Sequence, residues 1–203
     1  MTWAATPIDF YFDFSSPYGY IASQIVDDME KRVGRPVKWR PTLLGVTFKI
    51  MGQVPLVEVP MKGDYARNDF ARSARLHKVA YREPEKFPIG TVAACRAFYW
   101  ADERDPASAR DFAKALYRAY FTEGKDISAP ATVVDIARSV GLDGGALAAA
   151  LEDPMVKDRA KREVESAIAA GVFGSPFFVA EGEAFWGVDR MPMVEEWIRT
   201  GGW

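Results

Sequence analysis

The chain has 203 residues, 49% of them hydrophobic, with 26 Lys+Arg against 28 Asp+Glu, one cysteine and one histidine. That is material for one compact domain, or one domain with a sizeable insertion. The formal net charge of −2 gives no electrostatic reason to expect a nucleic-acid or membrane partner, and one Cys with one His argues against a Cys/His zinc site or an intrachain disulfide.

Met1 to Pro7 shows no basic region followed by an apolar run, so no secretory signal is expected and the cytoplasm is the default compartment. No segment is apolar for long enough to span a bilayer. Ile8 to Phe14 alternates, with Phe10, Phe12 and Phe14 against Asp9, Tyr11 and Asp13, and predicts a strand. Ser15-Ser16-Pro17 is a helix start, because a serine hydroxyl can cap free N–H groups and proline suits the first turn. Tyr18 to Val33 then has helical spacing and Gly34 ends it. Val37 to Leu44 predicts a second strand, which makes a right-handed parallel strand-helix-strand unit. From Tyr65 to about Ala170 the period is helical, with breaks at Pro84–Gly90, Gly124–Pro130 and Gly141–Gly145, and four to six helices are expected. Pro176 to Ala180 and Ala184 to Gly187 predict a hairpin across the turn Glu181-Gly182-Glu183. Met193 to Arg199 predicts a closing helix.

This order predicts an α/β thioredoxin-like fold, a mixed four-stranded sheet with a large helical insertion. The expected division is residues 1–64 with 171–203 as the thioredoxin-like part and 65–170 as the insertion. Other features read as structural. Cys95 lies in an apolar helical stretch and reads as a buried, inert thiol. Arg67, Arg72, Arg75, His77, Lys78 and Arg82 form a basic run interrupted by acids, which reads as a solvated helix face. His77 has no nucleophile motif around it, and neither a P-loop nor a dinucleotide-binding glycine pattern occurs.

In a thioredoxin arrangement two segments meet: Ser16-Pro17-Tyr18-Gly19 at the first helix, and Gly174-Ser175-Pro176 before the hairpin, with Pro176 the candidate cis-proline. A helix N-terminus presents unpaired N–H groups and partial positive charge, and so favours an anion. In redox proteins of this fold that anion is a cysteine thiolate. Here Ser16 and Gly19 occupy both cysteine positions, so dithiol-disulfide exchange through this motif is impossible. A hydroxyl can still donate to a thiolate supplied from outside, for which glutathione is the obvious source. On spacing alone, Ser16 reads first as an ordinary N-cap.

The opening Asp9-Phe-Tyr-Phe-Asp-Phe-Ser-Ser-Pro-Tyr-Gly-Tyr20 resembles that of 2-hydroxychromene-2-carboxylate isomerases, DsbA-like proteins near the kappa-class glutathione transferases. The stretch Gly45–Gly52 with Pro55 resembles them too, as does Val172–Val179 continuing into Phe185–Arg190. The resemblance implies glutathione as cofactor and Ser16 as the catalytic serine that positions its thiolate. It also implies that Ser175 and Pro176 hold the cysteinyl backbone, that Asp189, beside Arg190, accepts from the γ-glutamyl ammonium, and that Lys62 faces the glycyl carboxylate. Gln53 and Tyr18 fall on the side of the organic substrate. The implied reaction interconverts 2-hydroxychromene-2-carboxylate and trans-o-hydroxybenzylidenepyruvate, in bacterial naphthalene breakdown, without net redox change. A cytoplasmic homodimer is implied as well. Two departures concern the organic substrate: Gln53 and Gly90 stand where the family commonly has asparagine. A kappa-like transferase and a non-catalytic glutathione- or peptide-binding protein are the alternatives.

Overall fold

The computed structural model describes residues 6–203; the first five residues of the stretch read for a signal lie outside the described residues. Strand β1 (Ile8–Phe12) leads into helix α1 (Pro17–Val33), then β2 (Val37–Pro41). Helix α2 (Leu44–Met51) and a 3₁₀ turn at Leu56–Glu58 follow, then the six helices of the helical block: α3 (Lys62–Leu76), α4 (Val92–Asp102), α5 (Pro106–Phe121), α6 (Pro130–Ser139), α7 (Gly144–Ala150) and α8 (Pro154–Ala169). The chain closes with β3 (Phe177–Ala180), β4 (Glu183–Trp186), a 3₁₀ turn at Val188–Arg190 and α9 (Met191–Thr200).

The sheet order is β2-β1-β3-β4, with β1 parallel to β2 and antiparallel to β3, and β3 antiparallel to β4. This is the thioredoxin arrangement expected from the sequence. The alternation in β1 sorts its side chains as the period of two requires. Ile8, Phe10 and Phe12 face the main core with α1, α4, α5 and α9, while Tyr11 packs with Ala167, Val172 and Phe177 on the other face, under α8. Phe10 stacks on Phe178 at 5.0 Å and meets Trp39 edge-on at 5.2 Å. Each such ring contributes about 1.5–3 kcal/mol by burial. On the second face, Arg40 of β2 ties Asp9 of β1 (2.6 Å) to Glu163 of α8 (3.2 Å).

Two boundaries differ from expectation. The second strand stops at Pro41, not Leu44: Thr42 N–H makes the last ladder bond, to the Phe12 carbonyl, and Leu44 already begins α2. Helix α2 was not expected at all. Its β-branched Val46, Thr47 and Ile50 give a weak helical signal, and its N-cap, Leu43, has no capping side chain. At the hairpin, Glu181 (φ 54°) and Gly182 (φ 89°) alone make the turn. Two successive positive φ values suit a two-residue connection, so Glu183 is released to pair with Ala180 in the sheet.

The basic run behaves as a solvated face in part through ion pairs: Arg67 with Glu83, and Arg72 with Asp69. Cys95 is fully buried, and burial pushes its thiol pKa up. Among the described residues no helix is long and apolar enough to cross a membrane.

Candidate active site

The site forms where β1 ends and α1 begins. Ser16 is the N-cap of α1, with extended backbone (φ −91°, ψ 118°). Its Oγ accepts from Gly19 N–H at 3.0 Å, and its hydroxyl donates to the Ser175 carbonyl at 2.9 Å. The two segments that the sequence expects to meet are therefore in direct contact, and the Ser175-Pro176 peptide is cis. Phe87-Pro88 is a second cis peptide.

The first turn of α1 divides its amides unevenly. Ser16 N–H donates to the Asp13 carbonyl, Gly19 N–H to Ser16 Oγ and Tyr20 N–H to the Ser16 carbonyl. Pro17 has no N–H. Among the described residues Tyr18 N–H has no such partner, so one amide stays free beside the Ser16 hydroxyl at the positive end of the helix.

Gly19 occupies the position of the second motif cysteine for a packing reason. A Cβ there would lie 2.5 Å from Ser175 Oγ and 2.7 Å from the Tyr117 hydroxyl. Both hydroxyls are committed to Asp13: Ser175 Oγ accepts from its N–H at 3.0 Å, and Tyr117 donates to its carbonyl at 2.8 Å. A side chain of any kind displaces them.

Sequence reasoning assigned Asp13, Tyr117 and Thr91 no part in this site. Asp13 is buried, and its carboxylate accepts from Ser15 N–H (2.8 Å), Leu44 N–H (2.7 Å) and the Thr91 hydroxyl (2.9 Å). Burial pushes its pKa up, and those three donors work in the opposite direction. Its alternating place after Asp9 and Tyr11 reads as a solvent-facing position, and only the turn of the chain beyond Phe12 carries it inward. Ser15 Oγ in turn accepts from Ile89 N–H at 3.1 Å, which fastens the Phe87–Gly90 segment to the Ser16 turn.

The remaining expected residues are spread around this centre. Tyr18 is partly buried edge-on against Phe70 (5.0 Å), and its hydroxyl donates to Asp69 of α3. Burial first, then the Asp69 carboxylate, pushes its pKa up. Asp189 and Arg190 pair with each other at 3.1 Å, both exposed, in the 3₁₀ turn that packs on α1. The Asp189 carboxylate folds over Gly187, whose φ of 117° and missing Cβ leave it room. Lys62 opens α3, exposed and without an ion pair among the described residues. Gln53 is exposed just past the end of α2, its N–H on the Phe48 carbonyl. No hydrogen bond joins Lys62, Gln53 or Asp189 to Ser16. A Cβ at Gly90 would meet nothing within 4 Å.

The family model described as DSBA-like thioredoxin domain matches residues 7–199. The chain belongs to the DSBA-like thioredoxin family. Within that family it aligns along its length with isomerases and transferases. A 2-hydroxychromene-2-carboxylate isomerase of Sphingobium xenophagum is 30% identical over 199 residues, covering 94% of this chain and 97% of the relative. Glutathione S-transferase kappa 1 of Homo sapiens is 24% identical over 208 residues, covering 94% and 92%. Among solved structures, a selenomethionine form of 2-hydroxychromene-2-carboxylate isomerase superposes with a TM-score of 0.86 at 25% identity, covering 96% of this chain and 95% of that one. These relatives support an isomerase in a DSBA-like isomerase and transferase group.

Proposed function

We propose that the protein is a glutathione-dependent cis-trans isomerase of 2-hydroxychromene-2-carboxylate and trans-o-hydroxybenzylidenepyruvate, or of a related aromatic keto acid, in cytoplasmic breakdown of naphthalene-type aromatics. The observation that carries it is Ser16: a hydroxyl at a helix N-terminus, against the cis-proline loop, in a motif with no thiol of its own. Residues 1–64 and 171–203 form the thioredoxin-like part in this reading, and 65–170 the helical insertion.

The residues present fit glutathione. The Ser16 hydroxyl and the free Tyr18 amide point to an anion seat at the start of α1. Ser175 offers main-chain groups to the cysteinyl unit, with Pro176, its N–H missing and its carbonyl held by Gly187 N–H, setting their direction through the cis peptide; Asp189 offers an exposed carboxylate to the γ-glutamyl ammonium, a charge-assisted contact. Arg190 holds Asp189 in place, and Lys62 supplies a cation for the glycyl carboxylate. Bound there, glutathione supplies a nucleophilic thiolate that adds reversibly to a conjugated carbon and so frees the bond to rotate. The Ser16 hydroxyl has one hydrogen, now given to the Ser175 carbonyl. When a peptide N–H takes over that carbonyl, the hydrogen is released to face the sulfur. Tyr18 and Gln53 border the organic substrate. An exposed apolar run through Ile50, Met51, Val54, Leu56 and Met61 supports a homodimer.

The test is spectroscopic. Protein, reduced glutathione and the chromene are mixed, and the conversion is followed by absorbance. Turnover that Ser16→Ala slows by about 10²-fold is expected; no glutathione-dependent change, or the same rate in Ser16→Ala, refutes it. The kappa relatives favour one other reading, transfer of glutathione to an electrophile. Conjugation of chloro-dinitrobenzene without action on the chromene selects it. Glutathione binding by calorimetry with neither activity leaves a binding protein.

A further inference from the structure

We propose that Asp13 is the positioning residue of this site, a buried anion that holds the Ser16 turn in register with α2, α4 and the cis-proline loop. The inference rests on the reading of Ser16 given above.

Every polar group of Asp13 is engaged, and each reaches a different part of the site. Its N–H donates to Ser175 Oγ (3.0 Å). Its carbonyl accepts from Ser16 N–H (2.9 Å) and the Tyr117 hydroxyl (2.8 Å). Its carboxylate takes Ser15 N–H, Leu44 N–H and the Thr91 hydroxyl. Leu43, the N-cap of α2, has no capping side chain, and Thr91, the N-cap of α4, gives its hydroxyl to Asp13 instead of to its own helix. One carboxylate thus takes the first amide of α2 and the N-cap hydroxyl of α4.

A buried carboxylate needs such compensation, because desolvation penalises its charge heavily. Among the described residues no lysine or arginine pairs with it. Amides, a hydroxyl and the positive ends of α2 and α4 do that work. A lysine would hold Asp13 through a flexible chain, whereas fixed amides define its direction. That direction sets Ser15 and Ser16, and through Ser15 Oγ the Phe87–Gly90 segment. Asp13 therefore links the seat proposed for the sulfur to the two segments that carry Gln53 and Gly90.

A merely structural cap and a positioning residue predict different things for the thiol. Taking away a buried negative charge, by itself, lowers the pKa of a nearby thiol. Misaligning the Ser16 hydroxyl raises it. The experiment loads the protein with reduced glutathione and follows thiolate ultraviolet absorbance against pH, alongside thermal melting. It compares the unsubstituted protein with Asp13→Asn, Ser16→Ala and the two together. Asp13→Asn is expected to raise the bound thiol's pKa by about one unit, a tenfold smaller thiolate fraction below it, and to give no rise once Ser16 is alanine. Thr91→Val keeps the carboxylate and removes one donor. It is expected to move the thiol in the same direction by less, and serves where Asp13→Asn does not fold. A thiol pKa unchanged or lowered in these variants, with only the melting temperature falling, overturns the inference while leaving the Ser16 reading intact. A thiol that ionises in the unsubstituted protein as it does free in solution overturns both.

Discussion

Replacing Gly19 by alanine tests the packing that excludes a second thiol. The added Cβ would lie 2.5 Å from Ser175 Oγ, 2.7 Å from the Tyr117 hydroxyl and 3.2 Å from Ser16 Cβ. Ser175 Oγ and Tyr117 are fixed by hydrogen bonds to Asp13, so neither is the free end of a flexible chain. Overpacking costs about 1–3 kcal/mol, and weakening two buried hydrogen bonds costs about 1 kcal/mol each. Helix propensity works the other way, by about 0.5–1 kcal/mol in favour of alanine. The net expectation is a loss of about 2–4 kcal/mol. For a chain of this size that is a fall in melting temperature of roughly 5–15 °C. Thermal unfolding followed by circular dichroism measures it. An unchanged or higher melting temperature, as propensity alone demands, refutes the packing argument. Glutathione affinity should fall together with stability, because the displaced groups are those that hold Ser16 and Ser175.

Cys95 is buried with its pKa raised, so a thiol-specific colorimetric reagent should label it only after unfolding; fast labelling of the native protein contradicts the core packing. Hydrogen bonds from Lys86 and Ser128 hold Asp126 down to about 2, below its ordinary value of about 4. Its contribution is thus complete above about pH 4 and is lost as pH falls through about 2. The melting difference between the unsubstituted protein and Asp126→Asn should narrow over that window, and a difference independent of pH refutes the assignment. Ser16→Cys places a single thiol at a helix N-terminus, where its pKa falls. With oxidised glutathione its thiolate should displace one glutathione thiolate and remain as a mixed disulfide, seen as a mass gain. No adduct, or an internal disulfide, contradicts the site geometry.

What the sequence reveals follows from how local each signal is. The aromatic alternation of β1, the Ser-Pro start of α1 and the Glu181-Gly182 turn are written in adjacent residues, and the structure places strand, helix and hairpin there. Helix α2 is capped from a distance, by Asp13 through Leu44 N–H. A sequence window around residues 44–51 therefore contains no start signal. The same distance hides Asp13 itself: its partners Thr91, Tyr117 and Ser175 come from three later segments. Ser16 and Pro176 were legible because a fold-level expectation brings them together. Tyr117 reads as one more aromatic on the apolar face of α5, and only its hydroxyl contact shows a second task.

The absence of the dithiol and the tightness around Gly19 are one structural fact. In a two-cysteine site the second sulfur sits one helical turn from the first and needs its own volume. Here that volume is taken by Ser175 Oγ and the Tyr117 hydroxyl, and both are tied to the residue from which the Ser16 turn is built. Restoring cysteine at position 19 would therefore break the support of position 16. Redox exchange and the present packing exclude each other. What the packing retains is the feature that made such a site useful, a positive helix end with a free amide and one hydroxyl aimed across at a cis-proline loop. In the function proposed above, the sulfur that such a helix end favours arrives with the ligand.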